Sequence, residues 1–241
     1  MTLPPVGPIV LTGDIAPLGA DGRASAIDKK PAPGPWRIGT AGLAGDAQAD
    51  RAHHGGAEKA LHHYPFDHYA AWRMEIGDAT ALSVAGGFGE NLSTLGWTER
   101  NICVGDVVAF GTARLQVSQG RQPCWKLNRR FGVPDMARRV QESGRTGWYY
   151  RVLEPGVAKP GDDLALVARP CPGWPLARLT RLLYRDTDDL AGLAAMAALA
   201  PLTEGWRRLA ARRLETGRVE NWDARLRGAP EAAIASAPQS S

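Results

Sequence analysis

A cysteine set between a proline and a tryptophan marks the stretch Gln119-Gly120-Arg121-Gln122-Pro123-Cys124-Trp125-Lys126-Leu127-Asn128. Arg121 stands three residues before Cys124 and Lys126 two after it. Cationic neighbours favour a thiolate over a thiol, and the thiolate is the form that ligates metals or attacks electrophiles. Pro123 fixes its own φ and disfavours a helical conformation at Gln122, so Cys124 is expected where a strand turns outward. A small buried hydrophobe is the other role open to a free cysteine. The local sequence leaves both standing.

Three further clusters carry chemistry. All five histidines lie between positions 53 and 68, in Arg51-Ala52-His53-His54-Gly55-Gly56-Ala57-Glu58-Lys59-Ala60-Leu61-His62-His63-Tyr64 and just after it. Imidazoles invite zinc, but there is no HExxH, and adjacent residues such as His53 and His54 splay apart in regular structure. A second reading has Gly55-Gly56 letting backbone approach a ligand to which a histidine donates; a third is a polar loop. Gly86-Gly87-Phe88-Gly89-Glu90-Asn91 is a glycine-dense loop whose amides, with Asn91, are expected to face a ligand, although it lacks the Walker lysine and the dinucleotide spacing. Gly22 to Lys30 gathers a hydroxyl with Arg23, Lys29 and Lys30, either an anion site or a solvated surface.

The elements that must hold these groups are mainly β. Pro8 to Thr12 reads as a first strand, and the segment from Asp14 to Pro35 as turn-rich. Val104–Phe110 and Ala113–Ser118 form a hairpin around Gly111-Thr112, and its second strand leads straight to Cys124. Trp148–Leu153 and Leu164–Ala168 are further strands. Pro65 opens a short helix in which Phe66, Tyr69, Trp72 and Ile76 form a core-facing stripe stopped by Gly77. Another helix spans Pro134 to Ser143. Many short strands and turns predict a β-barrel with inserted short helices over residues 1–170. After the break Pro170-Cys171-Pro172-Gly173-Trp174-Pro175, helices are predicted at Leu176–Tyr184, Asp188–Ala200 and Glu204–Glu215, with more helix to about Arg227. Residues 176–228 form a small C-terminal helical domain, and residues 229–241 read as a disordered tail. In the third helix Trp206, Leu209, Ala210 and Leu214 face one way, and Arg207, Arg208 and Arg212 the other.

Composition bounds the rest. A chain that is 44% hydrophobic and 22% charged is an ordinary globular one. Cys103, Cys124 and Cys171 are too few and scattered for a disulfide framework, which fits a reducing compartment. No basic region precedes an apolar stretch at Met1-Thr2-Leu3-Pro4-Pro5, and no long apolar run suits a membrane span, so a cytoplasmic location is expected. The net charge of +4 is mild, and no basic run interleaves with aromatics, so a nucleic-acid partner is not expected.

In order and spacing these motifs resemble the MOSC family, in its YiiM-like branch. The residues carrying the resemblance are Gly45-Asp46; His54-Gly55-Gly56 with Lys59-Ala60-Leu61 and His63-Tyr64-Pro65; Phe88-Gly89-Glu90-Asn91-Leu92-Ser93-Thr94; Gly105-Asp106; Gln116-Val117-Ser118-Gln119 running into Arg121 and Pro123-Cys124 with Lys126-Leu127; and Gly147-Trp148. The resemblance spans about residues 5–228. It implies a MOSC β-barrel binding a molybdenum cofactor, a molybdopterin whose pyranopterin carries a phosphate, with Cys124 as the protein's ligand to the metal; Cys103 and Cys171 fall off the motif. It also implies the helical appendage. Ser25 and Lys29 match a family position near the start of the barrel and would serve the phosphate, Arg121 lies beside the ligand loop, and Asn91 would bond the pterin. Gly55 and Gly56 belong to the same cofactor-binding set, and His54 would contact the cofactor or donate a proton.

The activity implied is reduction of N-hydroxylated compounds such as 6-N-hydroxylaminopurine, R–NHOH with two protons and two electrons giving R–NH2 and water. Electrons would come from a separate flavoprotein or other reductase, for which the arginine face of the last helices is one dock, and a homodimer is left open. Three rivals remain: a non-catalytic cofactor carrier or sulfur-transfer module, a metal-free thiol enzyme using Cys124 as nucleophile, and a zinc module on the histidines.

Overall fold

The computed structural model describes residues 3–19, 22–49 and 55–228. Its first strand, β1 (Ile9–Thr12), is followed by the short β2 (Ala16–Leu18), β3 (Arg23–Ser25) and β4 (Lys30–Pro31). The turn-rich segment also holds three short strands. They are too short and proline-interrupted to show an alternating pattern, and β4 is held only by pairing with β1, Leu11 opposite Pro31. Next come β5 (Trp36–Gly39), β6 (Gly42–Leu43) and β7 (Leu61–His63), then helix α1 (Asp67–Ile76) and β8 (Leu92–Ser93). The hairpin is β9 (Val107–Phe110) and β10 (Ala113–Gly120). Its first strand starts later than expected, because residues 103–106 form a turn in which the Asp106 carboxylate accepts the Cys103 amide at 2.9 Å. Helices α2 (Lys126–Phe131) and α3 (Met136–Ser143) follow, then β11 (Trp148–Glu154), β12 (Gly156–Ala158) and β13 (Leu164–Ala168).

Eight strands form one mixed sheet in the order β13-β9-β10-β11-β7-β8-β1-β4, with β7 and β8 parallel. The sheet curls into a half-barrel. A single bridge, Val6 to Leu164, ties the segment entering β1 back to β13. A smaller sheet, β12-β5-β6, and the β2-β3 hairpin flank it.

The chain ends in α4 (Leu176–Tyr184), α5 (Leu190–Ala197), α6 (Glu204–Thr216) and α7 (Asp223–Arg227). These pack into the same apolar core as the sheet: Val10, Leu61, Val117 and Trp148 share one cluster with Leu179, Leu183, Met196 and Trp206. A second cluster holds the aromatic stripe, with Tyr64, Tyr69, Trp72 and Phe88 packed on α2, α3 and Leu226 of α7. The wheel for α6 needs one correction. Leu214 is 36% exposed, while Arg213 is 2% exposed and buried. It is held by Glu220 and by the Leu183 carbonyl, partners that lie outside its own helix. Residues 229–241, expected to be disordered, lie outside the described residues.

Candidate active site

Strand β10 is half-buried by alternation and ends against β11, with Gly120 opposite Trp148. The Arg121 amide then donates to the Gly147 carbonyl at 3.0 Å, and the chain turns into α2. Cys124 sits in that turn, a free thiol 7% exposed. It lines a cavity of about 610 Å³, part of it open solvent. Of the residues picked from sequence, Ser25, Lys29, Asn91 and Arg121 line the same cavity. They come from three separate stretches of chain, and the barrel end brings them together.

Asp46 organises one wall. Its carboxylate accepts the Lys29 ammonium, the Gly13 amide at 3.0 Å and the Asn91 side-chain amide at 2.8 Å. Asn91 also accepts the His62 amide at 3.0 Å and donates to the Leu11 carbonyl at 3.3 Å. Its side chain is thus committed to holding β1, β7 and Asp46 in place. Burial lowers the pKa of Lys29, and the Asp46 carboxylate works against that. Ser25 is buried, and its hydroxyl accepts the Ile27 amide at 3.3 Å.

The glycine loop is built differently from the sequence expectation. Gly86 and Gly89 do adopt positive φ, 108° and 75°. The amides, however, turn inward: those of Gly86 and Phe88 donate to the buried Glu90 carboxylate at 2.8 and 3.0 Å, and that of Gly87 to the Tyr69 hydroxyl at 3.0 Å. Burial pushes the Glu90 carboxyl up, and these donors hold it back. The glycines serve close packing, since a Cβ on Gly86 would stand 2.2 Å from the Lys29 carbonyl. The loop shapes the cavity's wall without lending it amide donors.

The other wall is Arg121, Tyr149 and His62. Arg121 is 6% exposed, and its Nη1 has no hydrogen-bond partner among the described residues. His62 Nε2 is likewise buried without a partner. Burial, then the Arg121 charge, drives the His62 pKa well below its usual value, so the ring is neutral at physiological pH. Burial raises the Tyr149 phenol, with Arg121 opposing. Lys59 and Lys126 add cations to the cavity's lining.

The neighbouring His63 points the other way. Its ring contacts the Tyr150 hydroxyl at 3.1 Å and the Thr94 hydroxyl at 2.9 Å, and burial lowers its pKa to about 3. His68 pairs with Glu99 at 2.7 Å on another face. The three described histidines therefore diverge; His53 and the candidate His54 lie outside the described residues. Gly55 and Gly56 are described but do not line the cavity. Sequence reasoning passed over Asp46 as a network centre and Tyr149 as a wall residue. Strand alternation offered a signal for Tyr149: its neighbours Trp148 and Tyr150 are fully buried in the core, which turns Tyr149 to the cavity.

Comparison with known proteins places this site in context. Residues 50–165 match the MOSC domain, and residues 174–217 match the YiiM-like, 3-alpha helix domain. The chain is 38% identical over 208 residues to Protein YiiM of Escherichia coli, covering 86% of this chain and 92% of that protein. It is also 38% identical over 193 residues to a protein of Gibberella moniliformis named Reductase, covering 80% of this chain but 34% of that longer protein. The crystal structure of YiiM from Escherichia coli superimposes with a TM-score of 0.78 at 32% identity, covering 93% of this chain and 99% of that one.

Proposed function

This chain belongs to the MOSC family, in its YiiM-like branch, and from that premise we propose that it is a molybdenum-cofactor-dependent reductase of N-hydroxylated compounds, such as 6-N-hydroxylaminopurine, supplied with electrons by a separate flavoprotein or other reductase. The observation that supports this most is a buried guanidinium nitrogen without a partner, Arg121 Nη1, on the wall of the cavity that Cys124 lines. Buried charged donors are costly to leave unpaired, so such an atom implies an anionic or acceptor-rich occupant. The free thiol of Cys124 on the same cavity agrees with it. The relative named Reductase supports the reaction class.

When bound, the molybdenum cofactor supplies the two-electron chemistry of N–O cleavage. Cys124 Sγ is the sulfur donor to the metal, soft enough for that partner. Arg121 Nη1 donates to the cofactor. Ser25 and the lysines, Lys29 above all, hold its phosphate. Asn91 and Asp46 keep Lys29 oriented. His62 is neutral, and its partnerless Nε2 offers the occupant a hydrogen bond whose direction the ring's tautomer sets. Tyr149 keeps its phenolic proton through neutral pH and is an O–H donor on the cavity's wall.

Metal analysis of protein expressed in a host that makes the pterin cofactor, beside Cys124→Ala, tests the reading. Near-stoichiometric molybdenum in wild type, none in the variant, and turnover of hydroxylaminopurine with an artificial electron donor are the expected results. Metal without turnover would favour a cofactor carrier. Freshly purified wild type without molybdenum would sink the proposal, and zinc in its place would favour the histidine reading.

A further inference from the structure

One residue of the last helix holds both peptide groups that flank Cys124. The Pro123 carbonyl, in the peptide before the cysteine, accepts Arg225 Nη1. The Trp125 amide, in the peptide after it, donates to the Arg225 carbonyl at 2.8 Å. The guanidinium is anchored in turn: Nη2 donates at 2.5 Å to Oε1 of Gln141, which is 4% exposed. The neighbouring residue repeats the pattern, with the Asn128 side chain donating to the Leu226 carbonyl at 2.8 Å while accepting the Ala137 amide at 2.7 Å. Leu226 is itself buried in the second core cluster. Helix α7 is therefore pinned to α2, α3 and the cysteine turn by at least four directed bonds.

With the peptide planes on both sides fixed, the backbone of Cys124 has little freedom, and the direction of its Cα–Cβ bond is set. The two bonds differ in kind. The one from the guanidinium is charge-assisted and depends on the side chain; the one to the Arg225 carbonyl does not. Within the reading of Cys124 as sulfur donor, we propose that Arg225 is a positioning residue that presents the Cys124 sulfur to the cavity, and that this is the contribution of α7 to the site.

The test uses full-length protein stripped of metal. Alkylation of each cysteine by iodoacetamide is followed by mass spectrometry, with Cys103 and Cys171 as internal references. Loss of one charge-assisted bond on a buried turn should raise Cys124 labelling in Arg225→Ala about tenfold or more, leaving the other two cysteines unchanged. Arg225→Lys keeps a charged donor and should restore most of the protection. Arg151→Ala, which breaks the Arg151–Glu58 pair away from α7, is the control for general loosening. Cys124 labelling within twofold of wild type in Arg225→Ala, or an equal rise in Arg151→Ala, overturns the proposal. Should Arg225→Ala not fold, Arg225→Gln decides, with a rise of about threefold or more expected and no rise overturning. The metal-ligand reading fails separately: molybdenum retained in Cys124→Ala would discard it and leave the labelling result intact.

Discussion

Asp46→Asn removes the charge opposite Lys29 while keeping the size and most hydrogen-bonding capacity of the side chain. Both members of the pair are buried, at 6% and 4% exposure. Stripping one partner from a buried ion pair costs about 3–5 kcal/mol, because the other charge is left uncompensated. The Glu90 carboxylate still acts on Lys29, and an Asn oxygen can still accept the Gly13 amide, so the loss should sit near 3 kcal/mol. For a chain of this size that corresponds to a fall in Tm of roughly 6–12 °C. Adding Lys29→Met removes the stranded charge, and the double variant should recover to within about 1 kcal/mol of wild type.

The pH dependence carries a sign. The folded pKa of Lys29 is already below its unfolded value of 10.5, and losing Asp46 lowers it further. Between those two values the unfolded chain binds more protons, so the stability of Asp46→Asn should rise with pH in alkaline buffer and close part of the gap to wild type. Urea denaturation of the metal-free proteins, followed by tryptophan fluorescence at neutral and alkaline pH, measures both effects. A double variant no more stable than Asp46→Asn would refute the reasoning, since the cost would then lie in the lost hydrogen bonds and not in the stranded charge.

Three more outcomes are expected. Gly86→Ala places a Cβ 2.2 Å from the Lys29 carbonyl at a φ of 108°, and should cost about 2–4 kcal/mol by chemical denaturation. His63 should show flat imidazole chemical shifts by NMR until the pH approaches about 3. Because the unfolded ring titrates near 6.5, His63 should also drain stability as pH falls through that interval, by up to about 1.4 kcal/mol per pH unit. Trp206→Ala should cost about 3–5 kcal/mol, because the ring is 3% exposed and lies against Gly120 of β10.

What the sequence made legible follows from which signals are local. Leu176–Tyr184 and Leu164–Ala168 were read to the residue, since a helical stripe after a proline and a short apolar run between turns are written in adjacent letters. The glycine loop was placed correctly but read the wrong way round: positive φ is a local property, whereas the direction of its amides depends on Glu90 being drawn into the core beside Tyr69. The histidine cluster stays open between zinc, a ligand contact and a polar loop in the sequence because two imidazoles carry no apolar periodicity; the burial of His62 and His63 comes from pairing with Tyr149 and Trp148 of a strand far along the chain. Helix α2 went unread. It is six residues long and follows a proline, and its fixing comes from α7, about a hundred residues later. The polar partners of the cavity residues, Asp46 above all, are likewise long-range facts.

The two family segments meet between residues 165 and 174, yet the apolar cluster runs across that join without a gap, from Val117 and Trp148 to Leu179 and Trp206. The join is a seam of ancestry and not of matter. Exchange of parts between relatives is tolerated where few contacts cross a boundary, and many cross this one. A helical segment borrowed from another member would have to bring a surface matched to β10 and β11, and an arginine that reaches Pro123. A volume change at Trp206 would therefore be felt at Gly120, on the far side of the join.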